Sequence, residues 1–185
     1  MHIAVYLGSS LGKDSTIQEA TKALGTWIGK EGHTLVYGGG QTGLMGIVAD
    51  ACLAEKGKVI GVIPTFLEKK EITHHSLTDL HVVDTMAERK TMMIECSQAF
   101  VAIPGGVGTL EEISEIMSLL HLNRLQAPCV FYNPDHFYDP MHQLLENMAD
   151  EGFFDPAFLE KVHFCSTIEK VEDVLTSYAK EHYYG

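Results

Sequence analysis

The sequence predicts an α/β fold, a mostly parallel sheet with helices on both faces, and two observations carry that expectation. Short apolar runs recur at Ile3 to Leu7, Thr34 to Tyr37, Val59 to Ile63, Leu80 to Val83, Ala99 to Ile103 and Cys129 to Tyr132, mostly continuous rather than alternating. Strands buried on both faces read this way. Between the runs lie segments whose apolar residues repeat at helical spacing. Strands alternating with helices across short turns make βαβ units with right-handed crossovers, hence a doubly wound, Rossmann-like architecture.

The first helical segment carries Ile17, Ala20, Leu24, Trp27 and Ile28 on one stripe. Ser15 followed three residues later by Gln18 fits a capping box at its start, and Gly32 is a C-terminal stop. A second helix follows a glycine loop (Leu44, Ile47, Val48, Ala51), a third runs from about Met86 to Ser97, and a fourth carries Leu110, Ile113, Met117 and Leu120. Two more are marked by Phe137, Met141, Leu144, Leu145 and Met148, then by Val171, Val174, Leu175 and Tyr178. The exception to the rhythm is Thr65 to Asp79, a polar stretch with Glu68-Lys69-Lys70-Glu71 and His74-His75, expected to form a long loop near the edge of the site. With no repeats, linkers or low-complexity segments, residues 1–185 are expected to form a single domain.

A hydrophobic fraction of 45% with 21% charged residues is that of a chain that folds unaided. The formal net charge of −12 argues against binding to the backbone of DNA or RNA, which relies on clustered Lys and Arg. A small anion is still admissible, because one local pocket can oppose the global sign. Cys52, Cys96, Cys129 and Cys165 lie far apart without a C-x-x-C pair, which fits reduced thiols and a cytoplasmic protein. Met1 leads straight into a strand-like run without the features of a signal peptide, and no apolar run approaches the ~18 residues of a membrane span. No metal is expected, since the ten histidines make no H-E-x-x-H or zinc-like spacing.

In doubly wound folds ligands bind outside the carboxyl ends of the strands. Three turns there are rich in small residues: Gly8-Ser9-Ser10 after the first strand, Gly38-Gly39-Gly40-Gln41-Thr42-Gly43 after the second, and Gly105-Gly106-Val107-Gly108-Thr109 after the fifth. Glycine lets a backbone approach a ligand, and the helix that follows offers unpaired N–H groups and a positive dipole end to a phosphate. Glycine also serves ordinary strand-to-helix turns, so the argument rests on the cluster of three. Neither G-x-x-x-x-G-K-[ST] nor a G-x-G-x-x-G after the first strand is present, which disfavours ATP hydrolysis and NAD chemistry.

Glu111, Glu112 and Glu115 follow the third loop. Thr109-Leu110-Glu111-Glu112 is itself a capping-box pattern, so on pattern alone Glu112 reads as a cap, or else as a carboxylate placed for a ribose or a water. Arg89 and Lys90 open a helix on the same edge; Arg89 offers a planar fork of donors to a phosphate or purine, and Lys90 a point charge. His74-His75 reads as solvent-exposed, and His121 as a helix C-terminal cation.

Pro104-Gly105-Gly106-Val107-Gly108-Thr109-Leu110-Glu111-Glu112 matches P-G-G-x-G-T-x-x-E, and Met86-Ala87-Glu88-Arg89-Lys90 matches M-x-x-R-K. With these motifs, and with the loops at Gly8 and Gly38 in the same order, the chain resembles the LONELY GUY family of cytokinin riboside 5'-monophosphate phosphoribohydrolases from Ile3 to about Tyr178. The resemblance implies hydrolysis of the N-glycosidic bond of an N6-modified or plain adenosine monophosphate, giving free base and ribose 5-phosphate. It implies Arg89 and Glu112 as catalytic residues, the phosphate on Gly105, Gly106, Val107, Gly108 and Thr109, and further substrate contacts from Gly8, Ser9, Gly39, Gly40, Met86 and Lys90. It also implies a homodimer with sites near the interface and no bound cofactor. Family members have often been labelled lysine decarboxylases, a chemistry that needs a Schiff-base lysine, and no lysine here is singled out for it. Departures at Glu88 and in Thr65 to Asp79 bear on base selectivity. The alternative is a nucleotide or cofactor carrier of the same fold, which would not need Arg89 and Glu112 together.

Overall fold

The computed structural model describes residues 1–68 and 73–183. Seven strands form one sheet: β1 (His2–Tyr6), β2 (Thr34–Tyr37), β3 (Lys58–Pro64), β4 (Asp79–Val83), β5 (Ala99–Ala102), β6 (Cys129–Tyr132) and β7 (Val162–Cys165). Their order is β4-β3-β2-β1-β5-β6-β7 and every pairing is parallel. The helices are α1 (Ser15–Lys30), α2 (Gly43–Ala54), α3 (Thr65–Glu68), α4 (Met86–Glu95), α5 (Val107–His121), α6 (Asp139–Asp150) and α7 (Ile168–Tyr183), with single 3-10 segments at Pro134–His136 and Pro156–Lys161.

Successive side chains of a strand point to opposite faces, and here both faces are covered. Along β1, Ile3 and Val5 join a core with Leu24 and Ile28 of α1, Val48 of α2 and Leu175 of α7. Ala4 and Tyr6 join the opposite core with Met93 of α4, Ile113 and Ile116 of α5 and Leu145 of α6. Two apolar environments on one strand produce the continuous runs seen in the sequence.

Helix starts are where local reading and structure diverge. Asp14, not Ser15, caps α1, its carboxylate accepting from the Thr16 N–H at 2.8 Å. A complete capping box sits instead at α4, where Thr85 and Glu88 exchange hydrogen bonds with each other's backbone N–H. Glu88 is therefore a local stabiliser of the helix that carries Arg89. The short strand β7 has no counterpart among the apolar runs. The polar stretch after β3 is not a loop throughout: Thr65–Glu68 is helical, and Thr73 makes an antiparallel bridge to Gly40. Lys69, Lys70 and Glu71 of that stretch lie outside the described residues.

From β1 the chain winds outward through β2, β3 and β4, then returns to β5 on the other side of β1. Adjacent connections diverge to opposite faces at the β1/β5 boundary, and a crevice opens there at the carboxyl ends of the strands.

Candidate active site

The loops after β1, β2 and β5 meet at this crevice. A Cβ built at Gly8 would lie 3.3 Å from Gly105 Cα, and one at Gly105 would lie 2.8 Å from the Gly8 nitrogen and 2.2 Å from Thr109 Oγ1. Gly43, at φ +63, packs so that a Cβ would come within 2.1 Å of the Ser9 carbonyl. Gly8 and Gly105, and likewise Ser9 and Gly43, are thus packed backbone against backbone, with the Thr109 side chain against Gly105.

The third loop runs into α5 with Gly106 as its cap in extended conformation and no side-chain cap hydrogen bond. Thr109 lies inside the helix and is buried, so the expected capping box does not form. The first-turn N–H groups of Val107, Gly108 and Thr109 are left with no capping side chain, while Gly106 and Gly108 border open space. Such a terminus is suited to an oxyanion.

Beside it lie Arg89 from α4 and Glu112 from α5, both buried. Arg89 Nε donates to the Val62 carbonyl at 3.0 Å, and Nη1 lies 3.9 Å from Met86 Sδ and 4.0 Å from Glu112 Oε1. Burial pushes the Glu112 carboxyl up to about 7; Arg89 and Lys90 pull it down, Glu111 adds to the rise, and desolvation wins. Tyr6, missed from sequence, ends β1 beneath this pair. Burial first, and then the charges of Glu112 and Glu115, hold its phenol above the ordinary tyrosine range, so it is a neutral hydroxyl. Its one sequence signal is strand alternation: the last residue before the first glycine loop points to the α4/α5 face.

Lys90 is not free. Its Nζ lies 2.5 Å from Glu111 Oε1 and 3.0 Å from Glu115 Oε2, tying α4 to α5, and these hydrogen bonds raise its pKa. The second glycine loop approaches from β2: Gly38 abuts Arg89, while Gly39 and Gly40 lie farther out, where the Tyr37 hydroxyl donates to the Gly40 carbonyl at 3.0 Å. His74 is buried, contrary to expectation, whereas His75 is exposed.

A concavity of about 760 Å³ lies elsewhere, among the ends of α5 and α7 and the start of β7, with Lys161, His163 and Tyr178 in its wall and none of the glycine loops. Size does not outweigh topology here: the convergent loops and the buried charged pair are all at the β1/β5 crevice. Among the described residues no group of three His, Cys, Asp or Glu is placed to hold a metal ion. No helix among them is long and apolar enough to cross a membrane.

Fold and crevice together define a doubly wound protein with glycine loops gathered at its topological switch point. The family model described as "Possible lysine decarboxylase" matches residues 45–175. Cytokinin riboside 5'-monophosphate phosphoribohydrolase of Rhodococcoides fascians is 41% identical over 168 residues, covering 90% of this chain and 85% of that protein. The Arabidopsis thaliana protein named cytokinin riboside 5'-monophosphate phosphoribohydrolase LOG3 is 36% identical, covering 97% of this chain and 84% of that protein. The chain belongs to this family, the LONELY GUY family that its motifs resemble. Among solved structures, the molybdenum cofactor binding protein from Rippkaea orientalis superposes with a TM-score of 0.72 at 21% identity, covering 96% of both chains. The molybdenum cofactor carrier protein from Chlamydomonas reinhardtii gives 0.68 at 18% identity, covering 95% of this chain and 98% of that one. Those two likenesses show the fold.

The decarboxylase description implies a pyridoxal group on a neutral lysine amine. Lys90, next to Arg89 at the crevice, does not fit, because two carboxylates hold it as an ammonium ion, the opposite of the desolvated amine a Schiff base requires.

Proposed function

We propose that this chain is a one-domain cytoplasmic phosphoribohydrolase that adds water across the N-glycosidic bond of an adenosine 5'-monophosphate, plain or N6-modified, releasing the base and ribose 5-phosphate. The observation that carries the reading is the buried Arg89–Glu112 pair, 4.0 Å apart, next to an uncapped helix terminus. The relatives' printed names support the same reaction.

In this reading the 5'-phosphate docks on the N–H groups of Val107, Gly108 and Thr109, with Gly8, Ser9, Gly105 and Gly106 shaping the loop around it. The bond breaks through an oxocarbenium-like sugar. Glu112, whose carboxyl titrates at about 7, accepts a proton from the attacking water and faces the developing positive charge. The electron pair of the broken bond leaves with the purine, where the Arg89 guanidinium offsets it and a proton is taken up. Met86 lines the guanidinium, Lys90 sets the spacing of α4 and α5, and Gly39 and Gly40 border the base. No cofactor or metal is required.

The family resemblance supports a homodimer, for which the exposed apolar side chains Val107, Leu110, Phe137 and Leu144 beside the phosphate loop offer a surface. A nucleotide carrier has no use for a buried carboxylate that titrates near neutrality, so hydrolysis is the reading taken. The test is chromatography of base and ribose 5-phosphate after incubation with AMP and with isopentenyladenosine monophosphate, beside Glu112→Gln. Release lost in the variant supports the assignment; undiminished release removes Glu112 from the mechanism, and binding without release supports a carrier.

A further inference from the structure

The segment that re-enters after α3 does more than lead into β4. His74 is buried, and its backbone N–H donates to the Gly39 carbonyl at 3.0 Å, next to the Thr73–Gly40 bridge. Its ring is fixed at both nitrogens. Nδ1 accepts from the Ser76 N–H at 3.2 Å, so Nε2 carries the hydrogen that is donated to Asp50 Oδ1 at 3.0 Å. Asp50 is on α2, the helix that leaves the second glycine loop, and its side chain is 72% exposed. His74 therefore joins the loop to α2, its backbone N–H holding Gly39 and its ring holding Asp50, and Gly38 at the start of the loop is the wall of the Arg89 guanidinium.

We infer that His74 is a positioning residue for the reaction, with the His74–Asp50 hydrogen bond latching the second glycine loop so that Gly38 keeps Arg89 aimed at the crevice. This rests on the phosphoribohydrolase reading only for its catalytic consequence. A carboxylate is an economical partner for such a latch: it orients the ring through one oxygen while the other stays hydrated, so the pair need not be desolvated as a whole. Both ring nitrogens of this buried side chain have directional partners, as buried polar atoms require, and so the ring has one orientation.

Asp50→Ala is the informative variant, because an exposed side chain can be removed without opening a cavity. It is expected to lower kcat on the preferred nucleotide roughly tenfold with KM within about twofold, as a small misplacement of a catalytic group does. Amide exchange at His74, whose N–H bonds Gly39, should quicken in the same variant. His74→Gln, which retains a donor toward Asp50, should recover more kcat than His74→Ala. Unchanged exchange, or faster exchange with unchanged kcat, overturns the proposal. Wild-type protein that hydrolyses no nucleotide overturns the catalytic reading of the site, and amide exchange then decides the latch by itself.

Discussion

Gly38 and Arg89 occupy adjoining space with no room for a methyl group: a Cβ at Gly38 would sit 2.1 Å from Arg89 Nη2. The clash falls on the far end of a long side chain rather than on backbone, so the fold absorbs it and the guanidinium moves. Gly38→Ala is accordingly expected to keep its thermal transition within a few degrees while kcat falls roughly a hundredfold. Paired calorimetry and kinetics check this, and full activity would show that Arg89 has freedom the packing denies it.

Glu112 makes the stability of the protein depend on pH in a direction opposite to that of a salt-bridged acid. Its folded value of about 7 lies above the ordinary 4.5, so the native state holds the proton more tightly than the unfolded chain. Below the unfolded value the carboxyl is neutral in both states; as pH rises through 4.5 toward 7, stability is lost, by about 3 kcal/mol at most. Glu112→Gln should therefore melt higher than wild type at pH 8 and equal to it at pH 4. Hydrolysis, which needs the carboxylate, should instead rise with pH and level off above about 7.

Two glycines of the phosphate loop should respond oppositely to alanine. At Gly105 the added methyl meets Thr109 Oγ1 at 2.2 Å and the Gly8 backbone at 2.8 Å, so Gly105→Ala should separate the loops and abolish nucleotide binding by calorimetric titration. At Gly108, in the first turn of α5, nothing lies within 4 Å. Gly108→Ala should raise stability by about 0.5 kcal/mol through helix propensity, and any loss of activity in it reports crowding by the ligand rather than damage to the loop.

Lys90 holds α4 to α5 through Glu111 and Glu115, and Arg89 and Glu112 ride on those same two helices. Lys90→Ala should lower kcat several-fold with a small change in melting temperature. A loss confined to KM would mean instead that Lys90 reaches the substrate phosphate directly.

Much of this was legible in the sequence because strand burial and loop glycines are local signals. Six apolar runs coincide with six of the strands, and the three glycine clusters do follow β1, β2 and β5. What escaped was set by tertiary placement. Thr109 has the pattern of a cap yet lies inside α5, because the chain enters that helix already extended at Gly106. His74 looked like a surface residue, since nothing nearby in sequence announces that Asp50 and Gly39 will come to meet it. Tyr6 read simply as strand, and only the return of the chain to β5 sets Glu112 above it.

The strand order has a kinetic corollary. Strands β1 to β4 make contiguous neighbours that pair over short stretches of chain, whereas β1 meets β5 only after everything between them has been traversed, with Ile3 opposite Ala99. Long-range closures of this kind come late in folding. A nascent or refolding chain with its first half-sheet complete still lacks Gly105, Thr109 and Glu112 at the crevice. Nucleotide affinity should therefore emerge in step with the last long-range pairing, and a nucleotide added during refolding would pull on that final step alone.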